Sequence, residues 1–477
     1  MKGWQSSTDG VISVINNLKE IFQNMKKYSF GLITILLAFL IAGCSKSNVP
    51  PPTPLDKIPP QNAIVKILWQ KKVGNGNTTL GNYNIAPTYK NDKVFVPNQN
   101  GRVYALAITN GKVLWKRNML TNLSSPAETI ANAVILGSIK GDLMALDTNT
   151  GATLWHSYAP SSIFAKPTIY DSVIYTHTHD GSVAAFDAKD GSKKWSVSNN
   201  IPEIALPGNS SPIVLNNTVM IGSEFGTVLG FTVDEGDRTI NIPIAIAKGS
   251  SPADKMVDIS ANPLLYGDYL IFASYQGAIV ALDKDNGKML WAKKSSVVNN
   301  IIINDNVIFT TQDDSLLKAF DIETGDTVLT NDTLKWRKVT APIYYKGLIV
   351  VADFEGYLHF FNSLNGNYLG RYKLTPKSRI FNNGISAELI PTEKGIIVQS
   401  QNGRVYLVDA YSDKVIYDTI LSDYKVDRGS EIDHISISEK YKNKAKVTSE
   451  APSKGLNVNV VIGDFSEPPK SKITGKS

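Results

Sequence analysis

The stretch Gly141-Asp-Leu-Met-Ala-Leu-Asp-Thr-Asn-Thr-Gly-Ala-Thr-Leu-Trp155 recurs along this chain of 477 residues and decides its fold. Closely similar copies run over 101–115, 181–195 and 277–291. The weaker copies are Gly226 to Ile240, Asp321 with Gly325 and Leu329, Gly356 with Asn362 and Gly366, and Gly403 with Asp409. These eight copies are 38 to 51 residues apart, the period of a propeller blade of four short strands. The sequence therefore predicts an eight-bladed β-propeller.

Each part of the repeat has a physical role in a blade. Ala145 and Asp147 end one strand, and Gly151 accepts the positive φ of the tight turn that follows. Trp155 then starts the outermost strand, where its large ring can pack against the neighbouring blade. The tryptophans expected to play this structural part are Trp69, Trp115, Trp155, Trp195 and Trp291.

The segments between the copies identify the repeat as β rather than helical. Helical solenoids share similar periods, but 91–97 (Asn-Asp-Lys-Val-Phe-Val-Pro) and 347–353 (Gly-Leu-Ile-Val-Val-Ala-Asp) alternate and are rich in β-branched residues. The fold class is therefore all-β, with four-stranded antiparallel blades.

A closed ring needs one strand from the far end of the chain, because an open propeller exposes aggregation-prone edges. Residues 66–71 (Lys-Ile-Leu-Trp-Gln-Lys) carry a Trp as other outermost strands do, but have no motif before them. The segment 414–420 competes for the place, yet it lacks both a Trp and a turn Gly. We expect the N-terminal segment to close the last blade, with the propeller spanning 63–410.

The only cysteine, Cys44, follows an export signal. A basic start at Met25, Lys26 and Lys27 precedes an apolar run from residue 30 to 42. The run ends in 40–44 (Leu-Ile-Ala-Gly-Cys), which resembles the bacterial lipobox. Cys44 is thus expected to carry the lipid, and Ser45 after it favours sorting to the outer membrane, facing the periplasm. The alternative is a short transmembrane anchor or buried helix, but the run is shorter than the roughly 20 residues needed to span a bilayer.

The remaining segments flank the signal and the propeller. Residues 1–24 precede the signal peptide (25–43), so a misassigned translation start is expected. The stretch 44–62 is rich in proline and is interpreted as an extended tether between lipid and domain. Residues 411–477 are interpreted as a polar, disordered tail of unassigned purpose.

The chemistry of the sequence favours no enzyme. One cysteine excludes an intramolecular disulfide and a Cys-rich zinc site, and a net charge of +6 demands no nucleic-acid partner. His177-Thr-His179 places two imidazoles on one face of a strand but lacks a third ligand. Residues 283–287 have the wrong spacing for a calcium loop. We therefore expect no metal, no cofactor and no catalytic residue.

Signal, proline segment and repeats together resemble the BamB family of outer-membrane lipoproteins over roughly 69–409. Two loops sharpen the resemblance: 204–212 (Ile-Ala-Leu-Pro-Gly-Asn-Ser-Ser-Pro) and 256–263 (Met-Val-Asp-Ile-Ser-Ala-Asn-Pro). Ile204, Leu206 and Asp258 match the family pattern, whereas Pro207 replaces an Arg and Ser260 replaces an Asp. The loss of Arg removes a bidentate charged contact.

The resemblance implies a scaffold in the complex that inserts β-barrel proteins into the outer membrane. The implied partners are BamA, the barrel-forming subunit, through these two loops, the rest of that complex, and unfolded outer-membrane proteins. Three alternatives remain: the loop residues shape only their own blades, the chain is a generic periplasmic scaffold or adhesin, or it is a quinoprotein dehydrogenase. Dehydrogenases of that class are larger and usually hold a vicinal disulfide, which one cysteine cannot form.

Overall fold

The computed structural model describes residues 50–57, 59–74, 85–206, 210–248, 250–376, 383–413 and 415. Within these ranges the chain forms eight separate sheets of four antiparallel strands. A short 3-10 helix, Ala253–Lys255, accompanies them. The sequence prediction of an all-β, eight-bladed propeller is confirmed.

Blades 1 to 4 each use four consecutive strands, numbered in chain order. Their bounds are β2 Thr88–Lys90, β3 Lys93–Pro97, β4 Arg102–Ala107 and β5 Val113–Asn118 in blade 1; β6 Glu128–Ile130, β7 Ala133–Gly137, β8 Asp142–Asp147 and β9 Thr153–Tyr158 in blade 2; β10 Thr168–Tyr170, β11 Val173–His177, β12 Val183–Asp187 and β13 Lys193–Val197 in blade 3; and β14 Ile213–Leu215, β15 Thr218–Gly222, β16 Thr227–Thr232 and β17 Arg238–Pro243 in blade 4.

Blades 5 to 7 repeat this order, and blade 8 takes its outermost strand from the N-terminus. The bounds are β18 Leu264–Tyr266, β19 Tyr269–Ala273, β20 Gly277–Asp283 and β21 Met289–Ser295 in blade 5; β22 Ile302–Asn304, β23 Val307–Thr311, β24 Leu317–Asp321 and β25 Thr327–Asn331 in blade 6; β26 Ile343–Tyr345, β27 Leu348–Ala352, β28 Tyr357–Asn362 and β29 Tyr368–Lys373 in blade 7; and β30 Ile390–Thr392, β31 Gly395–Gln399, β32 Arg404–Tyr411 and β1 Ile64–Lys72 in blade 8.

The ring closes through β1, as the tryptophan at position 69 predicts. Strand β1 pairs antiparallel with β32, from Ile64 opposite Tyr411 to Lys72 opposite Arg404. The competing segment at 414–420 is described only at Val415, whose buried side chain packs against Gly347 in the core between blades 7 and 8. The N-terminal segment therefore occupies the outer place of the last blade.

The tryptophans lie at the seams between blades. Trp155 stands opposite Ala145 within blade 2, and its ring covers the turn glycine of blade 3, Gly191. A Cβ at Gly191 would lie 2.5 Å from the indole. The indole nitrogen of Trp155 donates a 3.0 Å hydrogen bond to the carbonyl of Ala188 in the same turn. The same pairing joins Trp69 to Gly111, Trp115 to Gly151, Trp195 to Gly236 and Trp291 to Gly325.

The hydrophobic core is divided among these seams. One cluster joins Phe95 and Trp115 of blade 1 to Val134, Leu136 and Leu146 of blade 2, and equivalent clusters lie between the other blades. Each blade therefore buries its two faces against its neighbours.

Strand direction gives the ring two distinct faces. Within a blade, the first and third strands run one way and the second and fourth run back. Connections from one blade to the next therefore lie at the same end as the turns between second and third strands. We call this end the inter-blade face; the other end carries the remaining turns, such as 148–151.

Candidate docking surface

Two long connections on the inter-blade face flank blade 4. The first, residues 198–212, leads from β13 to β14, and the second, residues 244–263, leads from β17 to β18. Both loops that the sequence analysis singled out belong to these connections. Because consecutive blades are neighbours, the fold brings the two loops together.

A hydrogen bond joins the loops directly. The backbone N–H of Leu206 donates to Oδ1 of Asp258 over 2.8 Å, although 52 residues separate them in sequence. The backbone of Asp258 is held in turn, since its carbonyl accepts a 2.8 Å hydrogen bond from the N–H of Tyr275 in blade 5. Asp258 thus links the connections on both sides of blade 4 to blade 5.

Asp258 lies beneath the surface rather than on it. The residue is only 1% exposed, although the family resemblance implies that its loop contacts a partner. Burial raises the pKa of this carboxyl to about 6, the Leu206 N–H opposes the rise, and nearby Glu224 adds to it. The side chain supports the position of Leu206, because a backbone donor that leaves water needs a buried acceptor.

The other matched and substituted loop residues occupy different environments. Ile204 is 47% exposed, and Leu206 is half-buried at the site of its hydrogen bond. The hydroxyl of Ser260 donates to the carbonyl of Val298 over 3.4 Å. Pro207 lies outside the described residues. The structure therefore unites Leu206 with Asp258, and Ser260 faces the connection from blade 5 to blade 6.

Two further apolar side chains on this face were missed by the sequence analysis. Phe225 is 51% exposed in the turn between β15 and β16, and Ile246 is 74% exposed in the connection that follows blade 4. The backbone of Gly226, next to Phe225, lies against the backbone of Ala245, next to Ile246. We call Ile204, Phe225 and Ile246 the blade 4 patch. Exposed apolar side chains that share one face of a fold are typical of a protein contact.

A signal for Phe225 is present in the sequence. Phe225 directly precedes Gly226 of its repeat. The residue at the same place is polar in the other seven blades: Asn100, Lys140, Asp180, Gln276, Asp314, Glu355 and Asn402. An aromatic residue at one position of a repeat that is otherwise polar indicates a role outside the blade.

The two histidines at 177 and 179 lie in different environments. His177 is buried, and its Nδ1 lies 3.0 Å from the carbonyl oxygen of Ser210. The ring of His179 instead packs edge-on against Phe164 with centroids 5.2 Å apart. Among the described residues no group of three or more His, Cys, Asp or Glu side chains is placed to hold a metal ion.

The membrane-related residues fall mostly outside the described ranges. Cys44, the signal peptide and residues 416–477 are among those not described. Within the described part, no helix is long and apolar enough to cross a membrane.

Comparison with known proteins places this geometry in a family. The family model described as outer membrane protein assembly factor BamB matches residues 63–129, 99–331 and 267–430. A protein of that name from Francisella tularensis subsp. tularensis is 68% identical over 452 residues, which cover 93% of this chain and 99% of the relative.

Solved structures agree on the architecture. The crystal structure of BamB from Moraxella catarrhalis aligns with a TM-score of 0.65 at 21% identity, over 72% of this chain and 100% of that one. Quinohemoprotein alcohol dehydrogenase from Comamonas testosteroni aligns with a TM-score of 0.57 at 13% identity, over 74% of this chain and 78% of that one. Identities this low establish a shared fold alone. The extended family match and the 68% identical relative show that the chain belongs to the family of the outer membrane protein assembly factor BamB.

Proposed function

We propose that this protein is a non-enzymatic scaffold subunit of the outer-membrane β-barrel assembly complex and that it assists the insertion of outer-membrane proteins. The observation that carries the proposal is the 68% identity, over nearly the full length, to a relative named as an assembly factor. The rigid ring suits this role, because loops fixed on a closed scaffold present a preformed surface and lose little entropy on binding.

The docking partner in this proposal is BamA, and the contact is the inter-blade face around blade 4. Ile204, Phe225 and Ile246 offer apolar side chains that a partner would desolvate. Leu206 belongs to the same surface. Asp258 contributes to the contact indirectly, because its carboxylate holds the backbone N–H of Leu206. Pro207 has no side-chain donor, so at that position the contact relies on apolar surface.

Anchoring in this proposal comes from a lipid on Cys44, which keeps the propeller at the outer membrane on its periplasmic side. Several acyl chains on one residue give stable membrane attachment. Unfolded outer-membrane proteins are the second class of partner, because outermost blade strands can pair with an extended chain.

Affinity purification from detergent-solubilised outer membranes tests the docking proposal. The double variant Phe225→Ser with Ile246→Ser should recover several-fold less BamA than the wild type. Leu120→Ser is the matched control, since Leu120 is 89% exposed in a different inter-blade connection. Equal recovery of BamA by the double variant and the wild type would place the contact on another face.

A further inference from the structure

Blade 7 differs from the tryptophan-bearing blades at the outer edge. Where Trp115 stands opposite Ala105 in blade 1, Gly370 stands opposite Phe360 in blade 7. Gly370 has a φ of +140°, and a Cβ at this position would overlap the carbonyl oxygen of Pro60. The glycine therefore makes room for the proline-rich segment that precedes β1.

That segment lies along the outer edge of blade 7, which it joins through one isolated β-bridge. Gln61 forms an antiparallel bridge with Gly370, and the N–H of Asn62 donates to the carbonyl of Leu369 over 3.0 Å. Closer to the N-terminus, the Arg371 guanidinium donates to the carbonyl of Asp56. Because β29 runs toward the inter-blade face, the segment read from Asn62 back to Asp56 approaches that face.

The segment then reaches the connection between blades 6 and 7. Thr53 donates its backbone N–H to the carbonyl of Lys335 over 3.0 Å, and Arg337 donates from Nη1 to the carbonyl of Thr53 over 3.1 Å. Leu55 packs against the hydrophobic cluster between these blades. The segment thus has polar and apolar anchors.

Arg337 is a buried charged residue that binds the segment. Its side chain is 3% exposed, and the guanidinium donates to Oδ2 of Asp353 from Nε over 2.9 Å and from Nη2 over 2.6 Å. Those bonds leave Nη1 directed at Thr53. A buried guanidinium needs acceptors for its N–H donors, so Nη2 also donates to Glu355 and Nη1 uses the carbonyl of Thr53.

We propose that residues 53–57 and 59–62 form a docked strap, and that the strap fixes the N-terminal exit at blades 6 and 7, turning the inter-blade face toward the membrane. The orientation rests on the proposed lipid at Cys44. Nine residues separate Cys44 from Thr53 and nineteen separate it from Ala63. At ~3.3 Å per extended residue, docking shortens the greatest reach from roughly 63 Å to roughly 30 Å.

Hydrogen exchange on the lipidated full-length protein tests the strap itself. The amides of Thr53 and Asn62 should exchange at least tenfold more slowly than in an unstructured peptide of the same sequence. Gly370→Ala should abolish the protection, whereas Gly74→Ala should keep it, because Gly74 also has a positive φ (+116°) but no heavy atom near its Cβ position. Unprotected strap amides in the wild type would overturn the proposal.

A second variant, in the strap itself, tests the proposal even if Gly370→Ala does not fold. Leu55→Asp should release the strap without altering any residue of the ring, and Lys57→Asp, at an exposed strap position, should not release it. Retained protection of Thr53 in Leu55→Asp, with the propeller folded, would show that the strap does not depend on this contact and would contradict the anchoring described.

Single labelled cysteines test the orientation. With Cys44 acylated, dyes on Asp332→Cys (inter-blade face) and Leu364→Cys (opposite face) are exposed to quencher lipids in vesicles of phosphatidylethanolamine and phosphatidylglycerol. The dye at 332 should be quenched at least twofold more than the dye at 364, and Leu55→Asp should reduce the difference. Equal quenching in protein that still sediments with vesicles refutes the orientation. Protein that fails to sediment refutes the lipid anchor instead.

Discussion

The indole nitrogen of Trp69 donates a hydrogen bond to the backbone carbonyl of Ile108 across the seam where the ring closes. Trp69 belongs to β1 in blade 8, whereas Ile108 follows β4 in blade 1. The ring of Trp69 also covers Gly111, where a Cβ would lie 2.6 Å from it. One side chain from the start of the chain therefore fastens the last blade to the first.

Trp69→Ala should open this seam and lower the free energy of unfolding by roughly 3 to 5 kcal/mol, the usual loss when a buried aromatic side chain is truncated. Chemical denaturation followed by tryptophan fluorescence and circular dichroism measures the change. Leu68→Ala is the matched control, because Leu68 is the adjacent residue on β1 and is substantially exposed. Equal stability losses in both variants would mean that the indole does not stabilise the seam between blades 8 and 1.

Trp155→Ala and Trp291→Ala should each lower the melting temperature clearly, since both rings cover a turn glycine of the next blade. Differential scanning calorimetry gives the two melting temperatures. The matched control is Leu154→Ala, which truncates an exposed neighbour of Trp155 on β9. An unchanged melting temperature in both tryptophan variants would contradict the register described for these blades.

Periodic features of this fold were predictable from the sequence. The glycine and tryptophan of the repeat recur because five of the seams place the same ring on the same turn, so blade number and closure by Trp69 followed from their spacing. Positions where one blade departs from the others were harder to predict from the sequence. Phe225 was visible as a departure, but its exposure depends on a turn whose surface position only the fold defines.

Asp258 and the strap show why the rest was not predictable. An aspartate in a loop usually lies at the surface, yet Asp258 is buried and accepts a hydrogen bond from Leu206, 52 residues away. A proline-rich segment before a domain indicates an extended tether. Its docking requires Gly370 and Arg337, more than 270 residues further along the chain, and neither has a local signal.

Cys44→Ser should release the protein from the outer membrane into the soluble periplasmic fraction, because the chain has no other thiol for the lipid. Fractionation of cells followed by intact-mass measurement checks the result. Ser45→Ala provides the control and should remain membrane-bound. A Cys44→Ser protein that stays in the outer membrane with unchanged mass and detergent behaviour would refute the anchor.

Leu206→Ala combined with Asp258→Ala should weaken capture of BamA several-fold while the propeller stays folded. The change removes an apolar side chain from the surface and the acceptor that holds its backbone N–H. Pull-down from solubilised membranes measures capture, and circular dichroism with thermal melting checks the fold. If the double variant melts normally and still captures BamA at wild-type levels, these two loops are not the docking site.

Asp258→Asn separates a supporting role from a charged contact. Burial raises the pKa of the wild-type carboxyl to about 6 from an ordinary value of 3.8, so the folded protein favours the protonated acid. That contribution to stability is fully present below pH 3.8 and is lost as pH rises through about 6. The variant cannot ionise at this position, yet its amide oxygen can accept the hydrogen bond from Leu206.

The free energy of unfolding of Asp258→Asn minus that of wild type should therefore increase between pH 4 and pH 7, by on the order of 2 kcal/mol. Urea denaturation at several pH values measures the difference. Asp285→Asn, an exposed change in the turn between β20 and β21, is the matched control for an aspartate-to-asparagine change at the surface. Because the amide preserves the support for Leu206, capture of BamA should stay within twofold of wild type. A folded Asp258→Asn protein that loses BamA would show that the partner reads the carboxylate charge itself.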